Sequence, residues 1–139
     1  MPAITLNPTP FLRLALLGDA AASGATGLLL AAAAGPLTPF LGLPEPLLRG
    51  AGVVLLPYAA CIAWAGIRAA PPRWAVRAAV ALNLVWAADS LLLLILGPVS
   101  PTALGAVFVL AQALVVLGFA VAQWIALRRS GAGAPLVLA

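Results

Sequence analysis

RWAVRAAVALNLVWAADSLLLLIL, residues 73–96, decides the fold. Pro71-Pro72 bounds the stretch on one side and Gly97-Pro98 on the other. Between them the chain is apolar apart from Arg73, Arg77, Asn83, Asp89 and Ser90. A helix of this length, rising 1.5 Å per residue, reaches across the roughly 30 Å hydrocarbon core of a bilayer. Working outward, three more stretches of the same kind appear. Span one covers 11–34 and ends at Gly35-Pro36; span two covers 46–69 and contains Pro57; span four covers 101–127 and closes at Arg128-Arg129. Ser100-Pro101 has the chemistry of an N-cap followed by proline at the first helical position. Pro57 removes a backbone donor and predicts a kink in span two. The tail from Ser130 to Ala139 is expected to be mobile.

Composition agrees with a membrane class. The chain of 139 residues is 65% hydrophobic and 7% charged, with a mean hydropathy of +1.18. Soluble domains average about 45 to 50% apolar and about 25% charged residues. Four spans use nearly the whole length, which predicts a single membrane domain over 1–139. The expected fold is all-α: a polytopic membrane protein forming a four-transmembrane-helix, antiparallel up-down-up-down bundle, with short turns bringing sequential helices together. The first half of span one could pass for a signal peptide, with Arg13 as its basic residue. Asp19 interrupts that pattern and the apolar run continues to Ala34, so the segment is read as a retained span.

The net charge of +4 comes from seven arginines against Asp19, Glu45 and Asp89. Arg13, Arg68, Arg73, Arg77, Arg128 and Arg129 fall at one side of the four spans, and only Arg49 at the other. By the positive-inside rule both termini are then cytoplasmic, in a multi-pass protein of the cell membrane. Trp64, Trp74 and Trp124 lie within about one helical turn of the same arginines, as an interfacial aromatic belt would. Arginines confined to span ends serve topology and membrane lipids as partners; they form no basic patch for nucleic acid. The chain has no histidine and one cysteine, Cys61. That excludes an internal disulfide, a cysteine metal site and imidazole chemistry, and no cofactor or metal is expected.

A weak internal repeat accompanies this topology. Gly35-Pro36-Leu37-Thr38-Pro39 and Gly97-Pro98-Val99-Ser100-Pro101 share the pattern Gly-Pro-aliphatic-hydroxyl-Pro, and Trp64/Arg68 and Trp124/Arg128 share a spacing of four. Parallel hairpin duplication or convergent turn chemistry would both produce it. The outer connection adds Phe40 to Glu45 after Thr38, which predicts a short cap over that end.

The candidate site consists of polar residues inside the spans. Asp19 and Asp89 stand out, because an aspartate at a helix centre costs roughly 2.5 to 3.5 kcal/mol on insertion scales and marks a functional site by default. Asp19, Ser23 and Thr26 share one face of span one, lined by Ala15 and Ala22, and hydroxyl and small residues there equally serve helix packing. Span three carries Asn83, Trp86, Asp89 and Ser90 around one half of its circumference, with Trp86 near mid-bilayer. Gln112 and Gln123 are three turns apart on one face of span four, with Phe119 between them. Tyr58 and Cys61 lie one turn apart on span two, beside the Pro57 kink. Counted from the span ends, Asp19 lies about 9 Å inside the arginine-rich edge and Asp89 about 12 Å inside the opposite edge, so the two acids form no dyad. Arg13 is on a different face from Asp19.

Three functions follow. The first is a transporter or a small-ligand- or lipid-binding protein, whose acid exchanges a proton or holds a cationic group. Four spans with an acid in the first are similar to small multidrug resistance transporters. Those proteins carry a glutamate and a near-neutral charge bias, so the similarity transfers no residue. The second is an accessory or scaffold subunit, with an acid facing outward toward another membrane protein; a homo-oligomer belongs with the first. The third is a lipid-modifying enzyme, which would need paired acids or a nucleophile beside a base. Neither appears in the sequence.

Overall fold

The computed structural model describes residues 6–7 and 9–131. The expected mobile tail lies outside the described residues from 132 onward, whereas Ser130 and Gly131 close the last helix. Four helices follow in order: α1 Pro10–Leu41, α2 Glu45–Ile67, α3 Arg73–Leu96 and α4 Ala103–Gly131. All four are long and apolar enough to cross a membrane, and they pack as an up-down-up-down bundle. The bounds of α3 are those expected.

The end of α1 is not where Gly35-Pro36 predicted. The helix bends at Ala33, whose φ of −113° and ψ of 20° leave helical geometry, and continues through Pro36 and Pro39 for two more turns. Proline inside a helix removes one backbone bond and crowds the preceding turn, which is the cause of the bend. Termination falls to Gly42, left-handed at φ 64°, whose N–H bonds the Thr38 carbonyl. Phe40 and Leu41 therefore belong to α1 and Glu45 opens α2, so the expected cap shrinks to Gly42, Leu43 and Pro44. Pro57 is carried inside α2. At the start of α4 the cap is Thr102, not Ser100: its Oγ1 accepts the Gly105 N–H at 3.0 Å. The same hydroxyl donates to the Phe40 carbonyl, and the Thr102 N–H bonds the Leu41 carbonyl at 3.0 Å, fastening α4 to the end of α1. The two Gly-Pro motifs thus play different structural parts, since Gly97 caps α3 while Gly35 lies inside α1.

Close approach of α1 and α2 rests on glycine. A methyl on Gly52 would meet the Gly27 carbonyl oxygen at 2.7 Å and the Leu30 carbonyl carbon at 2.9 Å. Small residues at such crossings let helix backbones come together where lipid supplies no hydrophobic drive. α1 packs chiefly on α2, α3 on α4, and α1 also on α4. The short turns do not hold every sequential pair together, however: α2 and α3, joined through Arg68–Pro72, touch little, leaving a seam between them. Two apolar cores result. One, at the arginine-rich end, includes Leu12, Leu16, Ile62, Val76 and Leu127; the other, at the opposite end, includes Leu30, Leu41, Leu48 and Val109. The Arg13 guanidinium reaches the Arg68 carbonyl at 3.3 Å, and Arg129 lies over Phe11. At the far end Arg49 pairs with Glu45 at 2.5 Å and donates to the Ala31 carbonyl at 2.7 Å.

Candidate functional site

Between the two cores a single carboxyl gathers one side chain from every helix. Asp19 is fully buried. Its Oδ2 accepts from the Tyr58 hydroxyl of α2 at 2.8 Å, the Asn83 Nδ2 of α3 at 2.8 Å and the Gln123 Nε2 of α4 at 2.7 Å. Its Oδ1 accepts from Ser23 Oγ, one turn along α1, at 3.1 Å. Asn83 Nδ2 also reaches Gln123 Oε1 at 3.4 Å, a longer contact that ties α3 to α4. No arginine takes part. Arg13, on another face of α1 as expected, turns instead to the Arg68 carbonyl.

This geometry has a physical logic. An aspartate offers two acceptor oxygens, and amide and hydroxyl groups supply the donors without a second charge. Asn83 is 3% exposed and Gln123 fully buried, so removing the carboxyl would leave the Gln123 amide nitrogen without its acceptor and Asn83 with only its longer contact to Gln123 Oε1. Among the described residues no buried side-chain nitrogen or oxygen lacks a hydrogen bond. A saturated network of this kind fixes helix rotation and register, because turning any helix breaks its bond to the common acceptor.

Asp89 is placed quite differently. It is exposed on α3 and makes no hydrogen bond among the described residues. It lines a groove of about 350 Å³ in the half of the bundle away from the arginine-rich end, where α2 and α3 diverge. Trp86, Ser90 and Gln112 join it there against walls from Leu48, Val54, Leu93 and Phe108. Ser90 donates back to the Trp86 carbonyl at 2.7 Å, which leaves Asp89 and Gln112 as the polar groups presented to the groove. On the opposite flank, between α1 and α4, a second groove of about 400 Å³ is lined by Thr26, Ser23 and Phe119, and it shares Trp86, Phe108 and Gln112 with the first. These three side chains form the partition between the grooves.

The polar interior expected from sequence is therefore two sites. Asp19, Ser23, Tyr58, Asn83 and Gln123 come together; Trp86, Asp89, Ser90 and Gln112 line a groove at another depth; Thr26 stands on the far side of the partition. Cys61 is exposed toward the lower part of the seam. Phe108 and the groove leucines carry no sequence signature and were not foreseen. A signal for the first group was present. Counted along the helices, Asp19 is six residues from Arg13, Asn83 six from Arg77 and Gln123 five from Arg128, which sets all three at about 8 to 9 Å from one edge. Among the described residues, no three His, Cys, Asp or Glu side chains come together to hold a metal ion. No protein-family model matches the chain, and neither a curated protein nor a solved structure is similar to it.

Proposed function

We propose that this small multi-pass membrane protein binds an amphiphile in the groove between α2 and α3, with a cationic head on Asp89 and an apolar tail against the leucines. The observation that carries this reading is Asp89 itself: a carboxyl with no hydrogen-bond partner among the described residues, exposed in a largely apolar groove within a membrane-crossing segment. Carboxyl groups in such positions face a partner or a pathway. A concave apolar pocket with a few convergent polar groups has the form of a small-molecule site. Gln112, from α4, supplies a second polar contact for orientation. Asp19, engaged by four donors, serves to hold the helices in register, so the reading rests on binding at Asp89 and not on proton exchange at Asp19. The positive-inside rule supports an orientation with the arginine-rich end in the cytoplasm. The groove then opens in the outer half of the bilayer.

The exposure of Asp89 also favours a second reading, in which a basic or amide side chain from a partner membrane helix occupies the seam. A titration separates the two. The protein, with Trp64, Trp74 and Trp124 replaced by phenylalanine so that Trp86 alone reports, is placed in zwitterionic nanodiscs and titrated with dodecylammonium or with neutral dodecanol. A saturable change in Trp86 fluorescence with the ammonium, weakened about tenfold or more by Asp89→Asn, is expected, because a hydrogen bond to a charged group contributes roughly 1.5 to 3 kcal/mol. Equal responses to amine and alcohol, or no effect of Asp89→Asn, would leave the partner-helix reading.

A further inference from the structure

The lower half of the α2–α3 seam forms a separate groove of about 580 Å³, lined by Pro57, Tyr58, Cys61, Trp64, Trp74 and Leu82 among others. Its lining is almost wholly apolar, so no polar solute is drawn to its depth. Its mouth differs. Trp64 and Trp74 lie there with ring centroids 6.5 Å apart, and the Arg68 guanidinium sits 4.5 Å over the Trp64 ring. Arg68 follows directly on the last residue of α2, and its stacking on Trp64, which lines the groove, sets it beside the mouth. Arg13 is drawn to the same point by its bond to the Arg68 carbonyl. Among the described residues neither arginine has an acidic partner, and the one ion pair is Arg49 with Glu45, at the opposite end. An apolar slot within the membrane, with two tryptophans at its interfacial end, one guanidinium group stacked on Trp64 and a second bonded to the adjoining backbone, is complementary to one kind of molecule.

We infer that this groove is a binding site for an anionic phospholipid, its phosphate on Arg68 and Arg13 and one acyl chain along Trp64, Cys61 and Leu82 toward Tyr58. Arginine matches phosphate with a planar fork of donors, and basic residues at the cytoplasmic boundary attract anionic headgroups. Tyr58 gives the site a structural consequence, since the phenol at the groove's inner limit is also the α2 donor to Asp19. A chain packed against it braces the one α2 side chain that reaches the buried carboxyl.

Trp124 supplies an internal control. It too is an exposed tryptophan beside an arginine, with Arg128 5.5 Å from its ring, but it lies on the α3–α4 flank away from the seam. Two single-tryptophan variants, one keeping Trp74 and one keeping Trp124, are reconstituted in phosphatidylcholine vesicles containing phosphatidylglycerol, with the bromine label carried on one lipid or the other. Quenching of Trp74 by brominated phosphatidylglycerol is expected to exceed its share of the bilayer by roughly five-fold, the effect of one surface arginine on an anionic lipid. Quenching of Trp124 should follow bulk composition. Arg68→Gln and Arg13→Gln should each return Trp74 toward bulk behaviour. Equal enrichment at both tryptophans would show only general attraction to the basic end and overturn the site, as would enrichment at Trp74 that both arginine replacements leave intact.

Discussion

Gln123 Nε2 lies 2.7 Å from Asp19 Oδ2, joining α4 to α1 across 104 residues of sequence. Both side chains are fully buried, and the oxygen they share also receives Tyr58 and Asn83. One acceptor therefore holds one donor from each of the other three helices. It also links α2 to α3, which touch each other little: Tyr58 and Asn83 donate to the same oxygen on α1.

The arrangement distinguishes two substitutions at position 19. Asp19→Asn keeps an oxygen where Tyr58, Asn83 and Gln123 converge, and its amide can be turned toward Ser23, whose hydroxyl can accept. Its cost should be about 1 kcal/mol or less, on the scale of single interhelical hydrogen bonds in membranes. Equilibrium unfolding of the purified protein in lipid checks this, and a loss several times larger would mean that the carboxylate charge itself is required.

At the crossing of α1 and α2, Gly52→Ala should be disruptive. The added carbon meets backbone atoms of Gly27 and Leu30, which cannot rotate away. Overpacking of this kind costs roughly 1 to 3 kcal/mol. Gly118→Ala, by contrast, would meet nothing within 4 Å and should be nearly neutral. Melting temperatures of the two variants measured side by side in the same detergent provide the comparison; similar melting points would refute the close crossing.

Thr102→Val tests the fastening at the end of α1. The replacement removes the side-chain acceptor for the Gly105 N–H and the donor to the Phe40 carbonyl while preserving shape. Loss of an N-cap costs about 1 kcal/mol. Amide exchange at Gly105 should accelerate, with that at Ala113 unchanged. Uniform acceleration along α4 would mean that the cap supports the whole helix and not its first turn alone.

How far the sequence carried the fold can be seen at particular residues. The hydropathy of four segments and the breaks at Pro71-Pro72 and Gly97-Pro98 were enough to place four helices and both bounds of α3. Gly35-Pro36 misled, because the loss of one proline N–H bends a membrane helix without ending it when the remaining backbone bonds have no water to turn to. The site was legible in its members and not in its partition. Asn83 and Asp89 are six residues apart, about 120° around the helix, so one faces the centre when the other faces the seam. Gln112 and Gln123 share a face but differ in depth by about 16 Å, which sends them to different sites. Helical angle and depth must be combined to see this, and the splay of α2 from α3 that opens the groove beside Asp89 depends on packing that no local pattern records.

We propose separate roles for the two intramembrane acids, Asp19 holding the helices and Asp89 standing free for a ligand. The most direct test is the unfolding free energy in lipid of Asp19→Leu and Asp89→Leu measured against the parent protein. Asp19→Leu removes the acceptor shared by donors from three other helices and should lose about 2 to 4 kcal/mol. Asp89→Leu removes an unpartnered carboxyl from the membrane and should leave stability unchanged or raise it. An Asp19→Leu protein within about 0.5 kcal/mol of the parent, or an Asp89→Leu protein destabilised to the same degree as Asp19→Leu, would contradict the account.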